Sequence, residues 1–371
     1  PALPVVAVVL RSDNEWVDPR RTIPTSWPEM WREFIVGGVE PIPGIDRDVR
    51  KFRAVFWHGR TGTVYQITPS VKSELAYWRS EVQAVKRFTG PYFLQVLASA
   101  EIVDPETGRT SILLCRDDGP DHFGTLGDLI AQDDGADTLP MDVKVKLMLD
   151  ALSAVSRLAQ LGYTHSHISP DAVLVSGNCS QPSTCQGQLK VFGYVRGANR
   201  VAHVLGSSSL ALEAQRQYMS PELALDWSAG SCHDVWSLGI MFYELLLSGV
   251  LPLGMYRTFD TDEDFLAYVA NHLDISVDHD FLDFSREHPA LASILEHMLE
   301  RDPKQRWSAS RSLKELKQVA RTFPRLAEWV EAEDEDAEDA EDVEDAEGTD
   351  DAEDVEDVEG AEDAEYAGQE G

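Results

Sequence analysis

The stretch that decides the fold is His165–Val175, which reads HSHISPDAVLV. A polar loop that contains Pro170 runs directly into the apolar run 172–175, which predicts a short strand. The loop carries two histidines, His165 and His167, and has Ser169 directly before the proline. The spacing of loop and strand therefore decides the fold class, and the loop side chains decide the chemistry.

This stretch resembles the catalytic loop of a protein kinase, in which His-Arg-Asp is followed by a proline, an asparagine and a strand. His165, Pro170 and the strand are kept. His167 stands at the proton-accepting aspartate, Ser169 at the following lysine and Ala172 at the metal-binding asparagine. The resemblance therefore implies a pseudokinase, a kinase fold without catalytic activity.

The metal-binding Asp-Phe-Gly of kinases corresponds here to Val191, Phe192 and Gly193. Valine cannot coordinate a hard cation, which binds oxygen ligands. Because Ala172 removes the other ligand, we expect no metal site, no cofactor and little nucleotide binding. The imidazole of His167 could act as a base, but a histidine that fills space in an altered loop is the favoured interpretation.

Kinases hold the phosphates with a lysine on the third strand, which pairs with a glutamate on the following helix. If the strand TVYQ takes that place, the lysine position is Gln66. The alternative, Lys72, lies too close to Glu81 for a strand end, a turn and two helical turns. Glu81 is then either the helix glutamate without its partner or a plain surface charge.

Other motifs match residues that hold the kinase fold together. Glu222 lies in the Pro-Glu that ends the activation segment, and Asp234 opens the central helix sequence DVWSLG. Arg306 matches the arginine that pairs with that glutamate in the family, so we predict a buried Glu222–Arg306 ion pair, costly to break. The remaining structural positions are His165, Phe192, Gly193 and Glu81.

The order of elements predicts an α+β, two-lobed, protein-kinase-like fold with a small β-rich N-lobe and a larger helical C-lobe. Strand patterns and one amphipathic helix precede a hinge near residue 117, and long apolar helices follow it. The predicted units are an N-terminal extension packed on the domain, the N-lobe, the C-lobe and a disordered acidic tail. They span residues 1–44, 45–116, 117–327 and 328–371.

The charge is concentrated at one end of the chain. Residues 331–371 hold 23 of the 65 acidic residues and none of the 32 basic ones, within a formal net charge of −33. Such a segment cannot bury enough apolar surface to order itself. We expect other proteins as partners, and we exclude nucleic acid, which would meet like charge. No apolar run is long enough to predict a transmembrane segment.

Cys179 and Cys185 bracket a short polar loop between two strand-like runs. They are either a local disulfide or two free thiols. Asn178 opens an Asn-Cys-Ser sequence, a candidate acceptor for N-linked glycosylation. Both features would suit a secreted protein.

The loop sequence, the phrase LPLG at 251–254 and the Trp-rich N-terminal extension resemble the secreted rhoptry-type kinases and pseudokinases of apicomplexan parasites. Where kinases have a Gly-rich loop before the third strand, residues 41–53 contain only Gly44, which is similar to the branch of that family without a Gly-loop. Membership implies secretion into the parasitophorous vacuole or cyst wall. The expected function is an inactive scaffold or allosteric protein-interaction module. The alternatives are an atypical nucleotide-binding transferase and a structural component of the vacuole or cyst-wall matrix.

Overall fold

The structure is a computed structural model. It describes residues 23–24, 26–29, 31, 35–42, 49–56, 61–104, 107–119, 122–132, 135–190, 196–197, 216–222, 230–252 and 262–334. Val191, Phe192 and Gly193 lie outside these ranges, as does most of the acidic tail.

The N-lobe is a five-stranded sheet in the order β1-β2-β3-β5-β4, and one helix follows β3. The strands are β1 (Ile35–Ile42), β2 (Val49–Phe56), β3 (Thr61–Ile67), β4 (Val96–Val103) and β5 (Thr110–Gly119). The helix is α1 (Lys72–Val85). Strands β2 and β3 pair antiparallel.

The two faces of β3 belong to different parts of the core, because successive side chains of a strand point to opposite faces. Tyr65 and Ile67 lie in the core cluster that contains the apolar side of α1. Val64 lies in the second cluster, together with Trp27 and Trp31 of the N-terminal segment. The N-terminal segment therefore covers the sheet face opposite α1.

The C-lobe is mainly helical. Its helices are α2 (Leu126–Ile130), α3 (Gly135–Thr138), α4 (Met141–Gln160), α5 (Ser231–Leu246), α6 (Asp262–His272), α7 (His279–Glu287), α8 (Pro289–Met298) and α9 (Ala309–Ala320). Its strands are β6 (His122–Thr125), β7 (Tyr163–Thr164), β8 (Val173–Gly177), β9 (Cys185–Leu189) and β10 (Arg196–Gly197). They form a β6-β8-β9 sheet and a β10-β7 pair.

Helix α5 lies at the centre of the C-lobe, as its apolar sequence on all sides predicts. The side chains of Trp236, Phe242 and Tyr243 are fully buried. The fold is therefore α+β, with a sheet-rich N-terminal part and a helical C-terminal part. None of the helices in the described ranges is long and apolar enough to cross a membrane.

Two predicted boundaries differ from the structure. Strand β1 pairs with β2 within the range predicted as a separate extension. Residues 324–334 are helical, so helix occupies the first part of the range predicted as a disordered tail. Lys146 makes a cation–π contact with the ring of Trp329, with Nζ 4.3 Å from the ring centroid. Leu326 and Val330 of this segment are fully buried in the main core cluster, so tertiary packing holds an acidic sequence as helix here.

Cys179 and Cys185 form a disulfide with an S–S distance of 2.14 Å. The bridge joins the turn after β8 to the first residue of β9. The two alternatives left by the sequence are thus resolved in favour of the disulfide. Asn178, directly before it, is exposed.

Candidate active site

The loop 165–172 is anchored to the C-lobe by Asp234 at the start of α5. The buried carboxylate accepts the backbone N–H of His165 at 2.7 Å and of Ser166 at 2.8 Å. Ser166 has φ 65°, a left-handed conformation that is unfavourable for a residue with a side chain. The two hydrogen bonds offset this strain and fix the loop against α5.

His165 joins the loop to the residues that follow β9. Its ring is buried, and Nε2 donates to the carbonyl of Lys190 at 2.8 Å. Nδ1 accepts the backbone N–H of His167 at 3.4 Å. Burial lowers the pKa of His165 to about 3, so the ring is neutral at physiological pH.

In the motif match, His167 stands at the position where protein kinases have the aspartate that accepts the substrate proton. It is partly buried, and burial lowers its pKa, although the hydrogen bond with His165 opposes this shift. His167 is therefore neutral near pH 7. A general base must be in this unprotonated form.

In the catalytic loop, Ser169 stands where kinases have a lysine and Ala172 stands where they have the metal-binding asparagine. Ser169 and Ala172 are both buried, and Ala172 ends the short 3₁₀ helix Pro170–Ala172. A methyl side chain offers no oxygen to Mg²⁺. Across the described ranges, no group of three His, Cys, Asp or Glu side chains could hold a metal ion. Ala172 therefore does not fit the position of the metal-binding asparagine of a kinase.

Gln66, the predicted position of the third-strand lysine, lies on the face of β3 that packs with the N-terminal segment. That lysine pairs with the helix glutamate, so its position must be on the face of β3 that packs with α1. Gln66 points to the other face, where Trp27 Nε1 donates to its Oε1 at 3.4 Å. Tyr65 lies on the α1 side instead. Neighbouring residues of a strand point to opposite faces, so the Gln66 side chain lies on the face away from α1.

Tyr65 lies close to two cations that the motif comparison did not include. Lys51 Nζ is 5.7 Å and Arg116 Cζ is 5.5 Å from the ring centroid, within the range of cation–π contacts. Arg116 is buried and donates to Thr63 Oγ1 at 3.5 Å. Positive charge on this face thus comes from β2 and β5. In the sequence, only the alternation of apolar and polar residues in TVYQI indicates that Tyr65 and Gln66 lie on opposite faces of β3. Glu81 lies on α1, and its side chain is outside the described part.

Arg306 contacts Glu222 and the backbone near Asp234, so it joins the structural motifs predicted from the sequence. Its guanidinium donates to both carboxylate oxygens of Glu222, at 2.6 and 3.0 Å, and to the Cys232 carbonyl at 2.9 Å. Burial alone would raise the pKa of Glu222, but the hydrogen bonds and charge of Arg306 outweigh it and lower that pKa. The predicted ion pair is therefore present and ties the end of the activation segment to the C-lobe.

His233 is a structural residue that the sequence comparison missed. Its Nε2 donates to the carbonyl of Ser166 at 3.3 Å, and its Nδ1 accepts from the hydroxyl of Ser220 at 3.0 Å. It thus links the loop 165–172 to the segment that ends at Glu222. Burial lowers the pKa of His233 to about 4.

The lowered pKa of His233 predicts a loss of stability in acid. Its folded-state value lies below the ordinary 6.5, so the unfolded chain binds the proton more tightly and stability falls as pH drops below 6.5 toward 4. Relative to His233→Gln, the wild type should lose on the order of 2 kcal/mol of unfolding free energy between pH 7.5 and pH 5. Urea unfolding at both pH values measures this difference.

Comparing the two proteins removes the opposing effect of Asp234, whose pKa burial raises to about 7. Asp234 is present in both the wild type and His233→Gln, so its effect on the two pH profiles is the same. Parallel pH profiles for wild type and His233→Gln would contradict the prediction.

Comparison with known proteins gives the class. The protein kinase domain family matches residues 66–316, more than half of the chain, and the chain belongs to that family. It is 26% identical over 249 residues to the serine/threonine-protein kinase PksC of Streptomyces coelicolor, covering 66% of this chain and 41% of PksC.

It is also 26% identical over 170 residues to human calcium/calmodulin-dependent protein kinase type 1B, covering 46% of this chain and 45% of that kinase. It is 29% identical over 135 residues to 3-phosphoinositide-dependent protein kinase B of Dictyostelium discoideum, covering 36% of this chain and 14% of that kinase. The chain thus spans less than half the length of each of these relatives.

These findings correct one prediction. The sequence motifs led us to classify the chain as not an enzyme, but the family is that of protein kinases, and all three of these relatives are named protein kinases, PksC as a serine/threonine kinase. The prediction relied on side chains missing at single positions. Because phosphoryl transfer depends largely on positioning and charge neutralisation, groups at other positions can supply part of it. Missing motif residues therefore do not by themselves establish inactivity.

Proposed function

We propose that this protein kinase domain acts chiefly by binding other proteins, as a secreted scaffold or allosteric partner of the rhoptry-type family. One contrast carries the proposal. The contacts that hold the kinase frame are intact around Asp234 and Arg306. At the chemical positions, by contrast, stand His167 and a buried Ala172. A kinase fold that is kept without the usual catalytic and metal-binding side chains can still bind other proteins through its surface.

The secretory part of the proposal is supported by the Cys179–Cys185 bridge. Disulfides form and persist in oxidising compartments and are rare in reducing ones. The resemblance of the loop and the N-terminal segment to the rhoptry-type family further supports a location in the parasitophorous vacuole or cyst wall.

Phosphoryl transfer with His167 as the base is the second candidate. The observation in its favour is the neutral, partly buried imidazole at the position of the proton acceptor. Membership in the protein kinase domain family supports it as well.

Replacing His167 by alanine separates the two candidates. The wild type, His167→Ala and the exposed control His272→Ala are each expressed in cells that lack their own copy. Cross-linked partners, cellular phenotype and transfer of labelled phosphate are then compared. If protein binding is the function, all three proteins recover the same partners and restore the phenotype equally. Loss of phenotype and of labelled phosphate in His167→Ala alone, with unchanged melting temperature, would establish the second candidate instead.

A further inference from the structure

The turn that follows β8 contains Asn178, Cys179 and Ser180, the pattern of an acceptor for N-linked glycosylation. Asn178 is exposed, and its Oδ1 accepts the backbone N–H of Ser180 at 3.0 Å. This hydrogen bond uses the carbonyl oxygen of the side chain. The amide nitrogen, which is the atom that carries the glycan, is not used by the bond.

In the folded protein the same turn is held at several points. Cys179 is bonded to Cys185 across a sequence separation of 6. The Thr184 hydroxyl donates to the backbone carbonyl of Asn178 at 2.7 Å, and Arg325 Nη1 donates to the backbone carbonyl of Ser180 at 3.3 Å. A glycosyltransferase must bind the acceptor backbone in its own cleft, so a turn held in this way is a poor acceptor once closed.

We propose that Asn178 is an N-linked glycosylation site, and that closure of the Cys179–Cys185 disulfide competes with its modification. In the transfer, the Asn178 amide nitrogen bonds to the anomeric carbon of an oligosaccharide carried on a polyprenyl pyrophosphate. The bond from that carbon to the pyrophosphate breaks, the pyrophosphate leaves with the electron pair, and the nitrogen loses one proton. The proposal rests on the secretory route proposed above.

The competition follows from the place of Cys179 at the centre of the acceptor sequence. Modification must occur before the bridge closes, whereas the bridge can form on either the modified or the unmodified chain. Glycan occupancy should therefore be partial in the wild type and should rise whenever the bridge is prevented.

The test directs the full chain through the secretory pathway of a eukaryotic cell with an added leader. Occupancy is measured as the fraction whose mass falls on treatment with an enzyme that removes N-linked glycans. Asn178→Gln should abolish that fraction. Cys185→Ser keeps Asn-Cys-Ser intact and should increase it, while Cys232→Ser, a cysteine outside the bridge, should leave it unchanged.

Brief treatment of the cells with a thiol reductant provides the same comparison on the wild-type sequence, so misfolding of one variant does not decide the result. Absence of glycan from both wild type and Cys185→Ser would overturn the site. Equal occupancy with and without the bridge would overturn the competition. Because the added leader supplies the route, either result is independent of where the protein is naturally located.

Discussion

Arg306→Ala is expected to lower the free energy of unfolding by about 3–5 kcal/mol, because it leaves Glu222 as a largely buried charge without its partner. The Arg306 side chain is 0% exposed and that of Glu222 is 14% exposed. The guanidinium also lies over the ring of Trp236, 5.0 Å from its centroid. Urea unfolding followed by circular dichroism measures the loss.

An exposed pair provides the matched control. Arg286 pairs with Asp283 on α7, and their side chains are 73% and 76% exposed. Arg286→Ala should change the unfolding free energy by no more than about 0.5 kcal/mol. Similar losses for the two arginine variants would show that burial of the Glu222–Arg306 pair is not what makes it important.

Lys146→Met is the second substitution with a large expected effect, a loss of about 3–5 kcal/mol. Lys146 Nζ donates to the two carboxylate oxygens of Asp150 at 2.6 and 2.7 Å, and both residues are buried. Asp150 also accepts the backbone N–H of Gly187 at 2.8 Å, which ties α4 to β9. The substitution leaves the carboxylate buried with no cation.

The loss should depend on pH. Burial already raises the pKa of Asp150 against the effect of Lys146, and removing the lysine raises it further. A raised carboxyl pKa favours the folded state in acid, so Lys146→Met should be less destabilised at pH 5 than at pH 8. Urea midpoints of variant and wild type at both pH values provide the comparison.

The double variant Lys146→Met/Asp150→Leu tests the cause. An apolar pair of similar size should recover part of the stability, because no charge is left buried. A double variant no more stable than Lys146→Met would show that the lysine acts mainly through its contact with Trp329.

Much of the fold could be predicted from local patterns. The buried side of α1 and the fully apolar helix α5 follow from their periodicity, and the Glu222–Arg306 pair follows from two motifs. The lysine position could not be predicted, because alternation along β3 separates Gln66 from Tyr65 without showing which of them faces α1.

Residues with distant partners were missed for a different reason. His233 contacts Ser166, a residue far away in sequence, and no local pattern marks it as a link. The helix 324–334 was predicted in part as tail because its composition is acidic. Its order comes from contacts outside the segment, including the hydrogen bond from the Tyr92 hydroxyl to Glu333 and the Trp329–Lys146 contact.

The most direct test of the proposal that this kinase domain has lost its metal ligands is a thermal-shift titration of the full chain with ATP and ADP, each with and without Mg²⁺ or Mn²⁺. A ligand at 100 times its dissociation constant stabilises a fold by about 2.7 kcal/mol, which is readily detected. Because Ala172 offers no metal ligand and Tyr65 lies on the α1 side of β3, we expect no metal-dependent shift at millimolar nucleotide. A clear shift that requires Mg²⁺ would contradict this expectation and establish a working nucleotide site.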